Sequence, residues 1–185
     1  MKILAISGSL RSDSHNSLLL LTAGELLPSD VELEIWDGLK AVPPYDEDDD
    51  TDLAPAGVTR LRDAIAGADA LLFATPEYNQ SIPGQLKNAV DWASRPIATN
   101  VLRNKPVAVI GASTGAFGAV WSQAELRKVL AATGARVSDV EVAVGHAHER
   151  FDGEGRLTDD ELRGQLREVV RVLLADARPR VPAAA

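Results

Sequence analysis

The chain of 185 residues contains no cysteine. That one absence excludes disulfides, thiolate zinc sites, iron–sulfur clusters and a cysteine nucleophile together. Long apolar runs are missing as well. No stretch of about 18 apolar residues exists to span a bilayer, and the opening run Ile3–Ile6 is too short for the core of a signal peptide. Cations are outnumbered: 19 Lys and Arg stand against 27 Asp and Glu, for a formal charge of −8. A protein that neutralises nucleic-acid phosphates usually carries the opposite sign. Six of the acids fall in Asp46–Asp52, so the rest of the chain balances 19 against 21 and the acidity is local. A chain of this length buries roughly 70% of its unfolded surface and needs no covalent or metal staple. These absences point to a soluble, cytoplasmic protein with neither nucleic acid nor membrane as partner.

What is present is an alternation of strands and helices. Lys2–Ser7, Ala68–Ala74 and Pro106–Gly111 are near-continuous apolar runs, the pattern of strands buried on both faces. Val31–Trp36 alternates Val31, Leu33 and Ile35 with Glu32 and Glu34 and suits an edge strand; Arg136–Val144 reads as the last strand. Helices are predicted over Asn16–Leu27, Ala56–Ala66, Gly84–Ser94, a segment ending near Thr133, and Thr158–Ala177, with a frayed tail over 178–185. Asp37–Pro55 reads as a long acidic loop, and Phe151–Arg156 as a turn. The prediction is a single α/β domain over 1–177, a flavodoxin-like doubly wound five-stranded parallel sheet of order 2-1-3-4-5 with helices on both faces.

In such sheets ligands bind outside the carboxyl ends of the strands, at the switch point. Three unusual loops share that edge. The first, Gly8-Ser9-Leu10-Arg11-Ser12-Asp13-Ser14-His15-Asn16-Ser17, runs into a helix N-terminus, where free N–H groups and the helix dipole favour an anion. Ser9, Ser14 and Ser17 add hydroxyls, and Arg11 a guanidinium fork suited to phosphate. The spacing is neither G-x-G-x-x-G nor a P-loop. A plain capped turn is the simpler alternative, but it requires neither three hydroxyls nor Arg11. The second loop, Thr75–Gly84, is stiffened by Pro76 and Pro83, and its backbone and the Tyr78 ring would line the edge and face of a flat ligand; an ordinary rigid loop is its bland reading. The third, Gly111–Gly118, is built of small residues that let backbone N–H groups approach a ligand.

That third loop also fits G-x-S-x-G between a strand and a helix, with Ser113 as nucleophile and Asp139 then His146 or His148 following in order. A serine hydrolase is therefore a competing reading, weakened by the absence of an upstream HGGG-type oxyanion motif. His146-x-His148 with Glu149 has a loose metal-like spacing, more often a solvated loop. Asp46–Asp52 and Asp152-Gly153-Glu154-Gly155 both lack the calcium-loop pattern.

The stretch I-S-G-S-L-R-S-D-S-H-N-S-L resembles the G-S-L-R-x-x-S-x-N motif of the NADPH-dependent FMN reductase family, which includes soluble quinone, chromate and azo reductases. Pro76-Glu77-Tyr78-Asn79 matches its P-E-Y-N loop, Gly84–Arg95 the helix after it, and Val42–Asp48 its L-P-x-Y-[DN]-x-D segment. The resemblance implies FMN as cofactor, with Ser9, Arg11, Ser14, Asn16 and Ser17 at the phosphate. It places Pro76, Glu77, Tyr78 and Asn79 along the ribityl and isoalloxazine, and Ser113, Thr114, Gly115 and Phe117 near the pyrimidine side. The third loop departs most from the family, which often carries Pro-Gly there. The implied activity is ping-pong hydride transfer from NADPH or NADH through the flavin to quinones, azo compounds or metal oxyanions such as chromate, with no dedicated catalytic side chain and no metal. A reductase that hands reduced flavin to a monooxygenase shares the same first half-reaction. An electron-carrying flavodoxin is disfavoured, because its T-x-T-G-[NT]-T loop is absent. The resemblance also implies a homodimer or homotetramer, for which Trp92, Ile97 and Val101 would form an apolar patch.

Overall fold

Three apolar segments set the architecture, because a strand with no polar face must be covered on both sides. In the computed structural model, which describes residues 1–178, they are β1 (Lys2–Ser7), β3 (Ala70–Thr75) and β4 (Pro106–Ala112), and from Ile3 onward every residue of the three is buried. Between and around them lie α1 (His15–Glu25), β2 (Glu32–Trp36), α2 (Ala56–Ala66), α3 (Gly84–Ala93), α4 (Val120–Ala132), the short strands β5 (Arg136–Val137) and β6 (Ala143–Val144), and α5 (Asp160–Ala177). The sheet is parallel throughout, in the order β2-β1-β3-β4-β5. The predicted order therefore holds.

Alternation along each strand splits the core in two. Leu4, Ile6, Leu71, Phe73, Val107 and Val109 meet Val58, Leu61 and Ile65 of α2, Leu86 and Val90 of α3, and Leu126 and Leu130 of α4. On the other face Ile3, Ala5, Leu72, Ala108 and Ile110 meet Leu19, Leu20 and Ala23 of α1 and Leu166, Val169, Val170 and Leu173 of α5. Right-handed crossovers put helices on opposite faces when the chain steps in opposite directions. The leftward step from β1 to β2 carries α1, and the rightward steps carry α2, α3 and α4, which is the distribution observed.

The last strand differs from expectation. Arg136–Val144 is not continuous: β5 pairs with Pro106 and Val107, and β6 with Gly111 and Ala112. Between Val137 and Ala143 the edge makes six residue steps against four from Val107 to Gly111 on β4, so residues 138–142 bulge out. Ser138 Oγ donates to Asp176 Oδ2 of α5 at 2.7 Å, and Arg127 of α4 pairs with Glu141. Both side chains thus serve helices rather than the ladder.

The acidic loop is ordered by one face of α3. Gln85 Nε2 donates to Leu39 O and Val42 O, Asn88 Nδ2 to Pro43 O, and Trp92 Nε1 to Pro43 O, at 2.8–2.9 Å. Trp92 is fully buried, so it cannot belong to the surface patch expected of it; Ile97 does stand exposed. Arg62 anchors the far side of the loop on Asp50 at 2.7 Å. Of the tail expected to fray, residues 179–185 lie outside the described residues.

Candidate functional site

The loops after β1, β3 and β4 converge on one cleft of about 130 Å³ at the carboxyl edge of the sheet. Ser9, Arg11, Ser14, His15, Asn16, Pro76, Glu77, Tyr78, Ala112, Ser113 and Thr114 line it. Nine of the residues expected at the site are thus brought together from segments more than a hundred positions apart. Ser17, Asn79, Gly115 and Phe117 do not line it.

The first loop is braced from beneath. Gly8 N–H donates to Ala74 O at 2.8 Å, and a Cβ on Gly8 would lie 2.7 Å from Leu86 Cδ2 and 3.2 Å from Pro76 Cδ. A side chain at this position would have to displace Leu86 and press on the Pro76 ring, so the glycine lets the first two loops approach closely. Ser7 Oγ accepts from Ser9 N–H and from the Ser17 hydroxyl, so Ser17 supports the loop from behind the cleft. Ser14 is the N-cap of α1, in extended backbone, and its Oγ accepts from Ser17 N–H.

Asn16 plays a different part from the one its motif suggests. It is 3% exposed, its Nδ2 donates to Ala112 O at 3.0 Å, and its Oδ1 accepts from Ala112 N–H at 2.9 Å. The amide side chain pairs with a peptide unit at the end of β4 and is consumed. What Asn16 can offer an anion is its backbone N–H. Among the described residues the N–H groups of His15 and Asn16 have no protein acceptor. With the exposed Arg11 guanidinium, which makes one long 3.4 Å bond to Asp13 O, they form a set of donors without acceptors. That donor set fits a phosphate.

The second loop is pinned to α4. Glu77 Oε2 accepts from Trp121 N–H and Ser122 N–H at 3.1 and 3.2 Å, and Ser81 Oγ donates to Glu125 at 2.6 Å. The residue before α4, Ala119, gives no side-chain cap, so Glu77 supplies it from across the chain. Its carboxylate is held by the helix N-terminus rather than left free as a base. Tyr78 and Ser81 exchange backbone hydrogen bonds, and Asn79 and Gln80 make the intervening tight turn at φ 53° and 60°. That turn swings Asn79 away from the cleft, while the Tyr78 ring remains half exposed at its rim.

In the third loop Ser113 Oγ accepts from Gly115 N–H at 3.1 Å. Ser113 N–H donates to Val144 O, and Ala147 N–H donates to Ser113 O, so β6 and the turn after it fix this loop. Gly118 sits at φ 57°, where a Cβ would lie 2.3 Å from the Ala143 carbonyl carbon. Phe117 points outward and packs edge-on against Trp121 at 5.1 Å. The hydrolase arrangement is not assembled: among the described residues no histidine hydrogen-bonds to Ser113 Oγ, and His148 Nε2 faces Glu149. The residue chiefly overlooked in sequence is His15. It occupies the first helical position of α1, stacks on Phe151 at 5.6 Å, and has a buried Nδ1 with no partner. Burial first, then the charges of Arg11 and His148, hold its pKa below the usual imidazole value.

Comparison with known proteins gives the family. Residues 1–149 match the family model for NADPH-dependent FMN reductase. The chain is 44% identical over 174 residues to an NAD(P)H-dependent FMN reductase of Pseudomonas aeruginosa, covering 94% of this chain and 93% of the relative. It is 39% identical over 181 residues to a 2-hydroxy-1,4-benzoquinone reductase of a Burkholderia species, covering 97% and 98%. Among solved structures it resembles the flavoenzyme NAD(P)H:(acceptor) oxidoreductase FerB of Paracoccus denitrificans, with a TM-score of 0.86, 36% identity, and coverage of 95% and 96%. Carrying the family's motifs on the loops that build its cleft, this chain belongs to the NADPH-dependent FMN reductase family.

Proposed function

We propose that this FMN-dependent NAD(P)H oxidoreductase reduces small diffusible acceptors, quinones foremost. The observation that carries the reading is the convergence of Arg11, the head of α1 and the Pro76–Tyr78 segment on one cleft. Arg11 and the N–H groups of His15 and Asn16 would hold the phosphate of FMN, with the Ser9 and Ser14 side chains beside it. Pro76, Glu77 and Tyr78 would border the ribityl chain and ring, and Ser113 and Thr114 the opposite wall. Bound there, FMN would supply the redox chemistry between a reduced nicotinamide and the acceptor.

The chain's own task is placement. Pro76 and the Glu77–α4 hydrogen bonds keep the second loop from moving with its ligand. Ser113 contributes a polar wall and no nucleophile. The open rim beside Tyr78 leaves room for nicotinamide and acceptor in turn, which fits ping-pong exchange. The similarity to a 2-hydroxy-1,4-benzoquinone reductase favours quinones over azo compounds or chromate. A second reading, supply of reduced flavin to a partner enzyme, draws support from the similarity to an FMN reductase. In either case we propose a homodimer or homotetramer.

The deciding experiment is anaerobic stopped-flow mixing of the FMN-loaded protein with NADH and with NADPH, followed by quinone, chromate, azo dye and free flavin. Fast reoxidation by quinone with the flavin retained supports the first reading. Preferential turnover of free flavin supports the second, and failure of both nucleotides to bleach the flavin refutes both.

A further inference from the structure

His15 and His148, about 130 positions apart in the chain, come close to each other at the head of α1. His15 lines the cleft, and His148 is near enough for its charge to act on His15. His146 and His148 have ring centroids 6.4 Å apart. His15 is fixed in orientation by Phe151, whose ring lies 5.6 Å away and 21° from parallel. Its Nδ1 is buried without a partner. A proton placed there would be a donor sealed from any acceptor, an arrangement that folded proteins avoid. The neutral ring therefore keeps its proton on Nε2, the nitrogen that retains access to solvent.

We propose that His15 is a recognition residue for the phosphate of the bound mononucleotide, donating Nε2–H to it from the neutral ring. The inference rests on the FMN reading of the cleft. It adds to Arg11, a permanent cation, a donor without a charge.

The charge state of the ring follows from its surroundings. The groups facing His15 are Arg11 on its own loop, His148 with its neighbour Glu149 on the turn at 147–149, Glu77 across the cleft, and the neutral Phe151. Glu77 is already held by the N-terminus of α4. Without an anion, burial and the nearby positive charge disfavour protonation of His15. A second proton would have to sit on Nδ1, which has no acceptor, so the ring stays neutral beside the phosphate and its contribution does not change with pH. The phosphate's own second ionisation, near pH ~6, weakens binding in acid equally for every variant and cancels in comparisons between them.

The test uses the full-length protein freed of flavin and titrated by fluorescence with FMN and with riboflavin, which lacks the phosphate, from pH 5.5 to 8.5. The unaltered protein is compared with His15→Phe, which keeps the stack on Phe151, and with His15→Gln, which keeps a donor without a charge. The FMN affinity of His15→Phe should fall about 2- to 10-fold below that of the unaltered protein, by the same factor across the pH range, as loss of one neutral hydrogen bond requires. His15→Gln should stay within about threefold at every pH, since one neutral donor replaces another. Riboflavin should bind all three alike. Equal FMN affinities for the unaltered protein and His15→Phe overturn the proposal, as does an equal loss of riboflavin and FMN, which would mark His15 as packing alone. Failure of the unaltered protein to bind either flavin overturns the cofactor reading and this inference with it.

Discussion

The Asn16–Ala112 pair ties the head of α1 to the end of β4, and Asn16→Asp is the substitution that probes it most cleanly. The replacement is nearly isosteric, so packing against a residue only 3% exposed is preserved. One carboxylate oxygen still accepts from Ala112 N–H, as Oδ1 does at 2.9 Å. The other now faces Ala112 O, where Nδ2 donated at 3.0 Å. A hydrogen bond is lost, a carbonyl is stranded, and an anion is buried against another acceptor. An unsatisfied buried group costs about 1–3 kcal/mol, more when charge is involved, so the deficit at neutral pH should be about 3 kcal/mol. The pair also predicts a pH signature. Repulsion and burial raise the pKa of the introduced carboxyl in the folded state above its unfolded value of about 3.9. For an acid shifted upward, the folded state binds the extra proton, so the penalty grows as pH rises through that interval and disappears below it. Protonated, the carboxyl donates to Ala112 O as the amide did. Urea midpoints measured against the unaltered protein should show the full deficit at pH 7.5 and about 1 kcal/mol or less at pH 4.5. Equal deficits at the two pH values, or a deficit under about 0.5 kcal/mol at pH 7.5, would refute the assignment of Asn16 as the tether.

Arg11→Ala should weaken FMN binding roughly 10- to 150-fold, the equivalent of about 1.5–3 kcal/mol for a charge-assisted bond, and fluorescence titration would expose an unchanged affinity. Ser113→Ala should leave NADPH-driven reductase turnover within about threefold, since its Oγ only accepts from Gly115 N–H, a bond of modest net value; loss of an esterase activity in its place would revive the hydrolase reading. Gly118→Ala should destabilise the chain by more than about 3 kcal/mol, combining a left-handed φ of 57° with a Cβ only 2.3 Å from the Ala143 carbonyl carbon, and a thermal midpoint close to that of the unaltered protein would contradict it. Glu77→Ala should cost about 1 kcal/mol by uncapping α4, while Glu77→Gln, which keeps an acceptor, should cost less; equal losses in thermal denaturation would mean that capping is not what Glu77 provides.

The sequence alone determined the strand order and the edge of the sheet on which the cleft opens. Lys2–Ser7, Ala70–Thr75 and Pro106–Ala112 are apolar on both faces, and only a parallel sheet between two helical layers buries such segments. It also determined the three loops, because a Ser- and Arg-bearing turn at a helix head and a loop between two prolines announce themselves locally. What each side chain does there was decided by tertiary structure. Asn16 is spent on β4, Glu77 caps a helix more than forty positions away, Ser17 supports Ser7, and Trp92 fastens the acidic loop. Those partners are distant in the chain, and a hydrogen bond depends on where both of its ends finish. The same reason hid His15: nothing beside it in sequence shows that Phe151 and His148 will close around its ring.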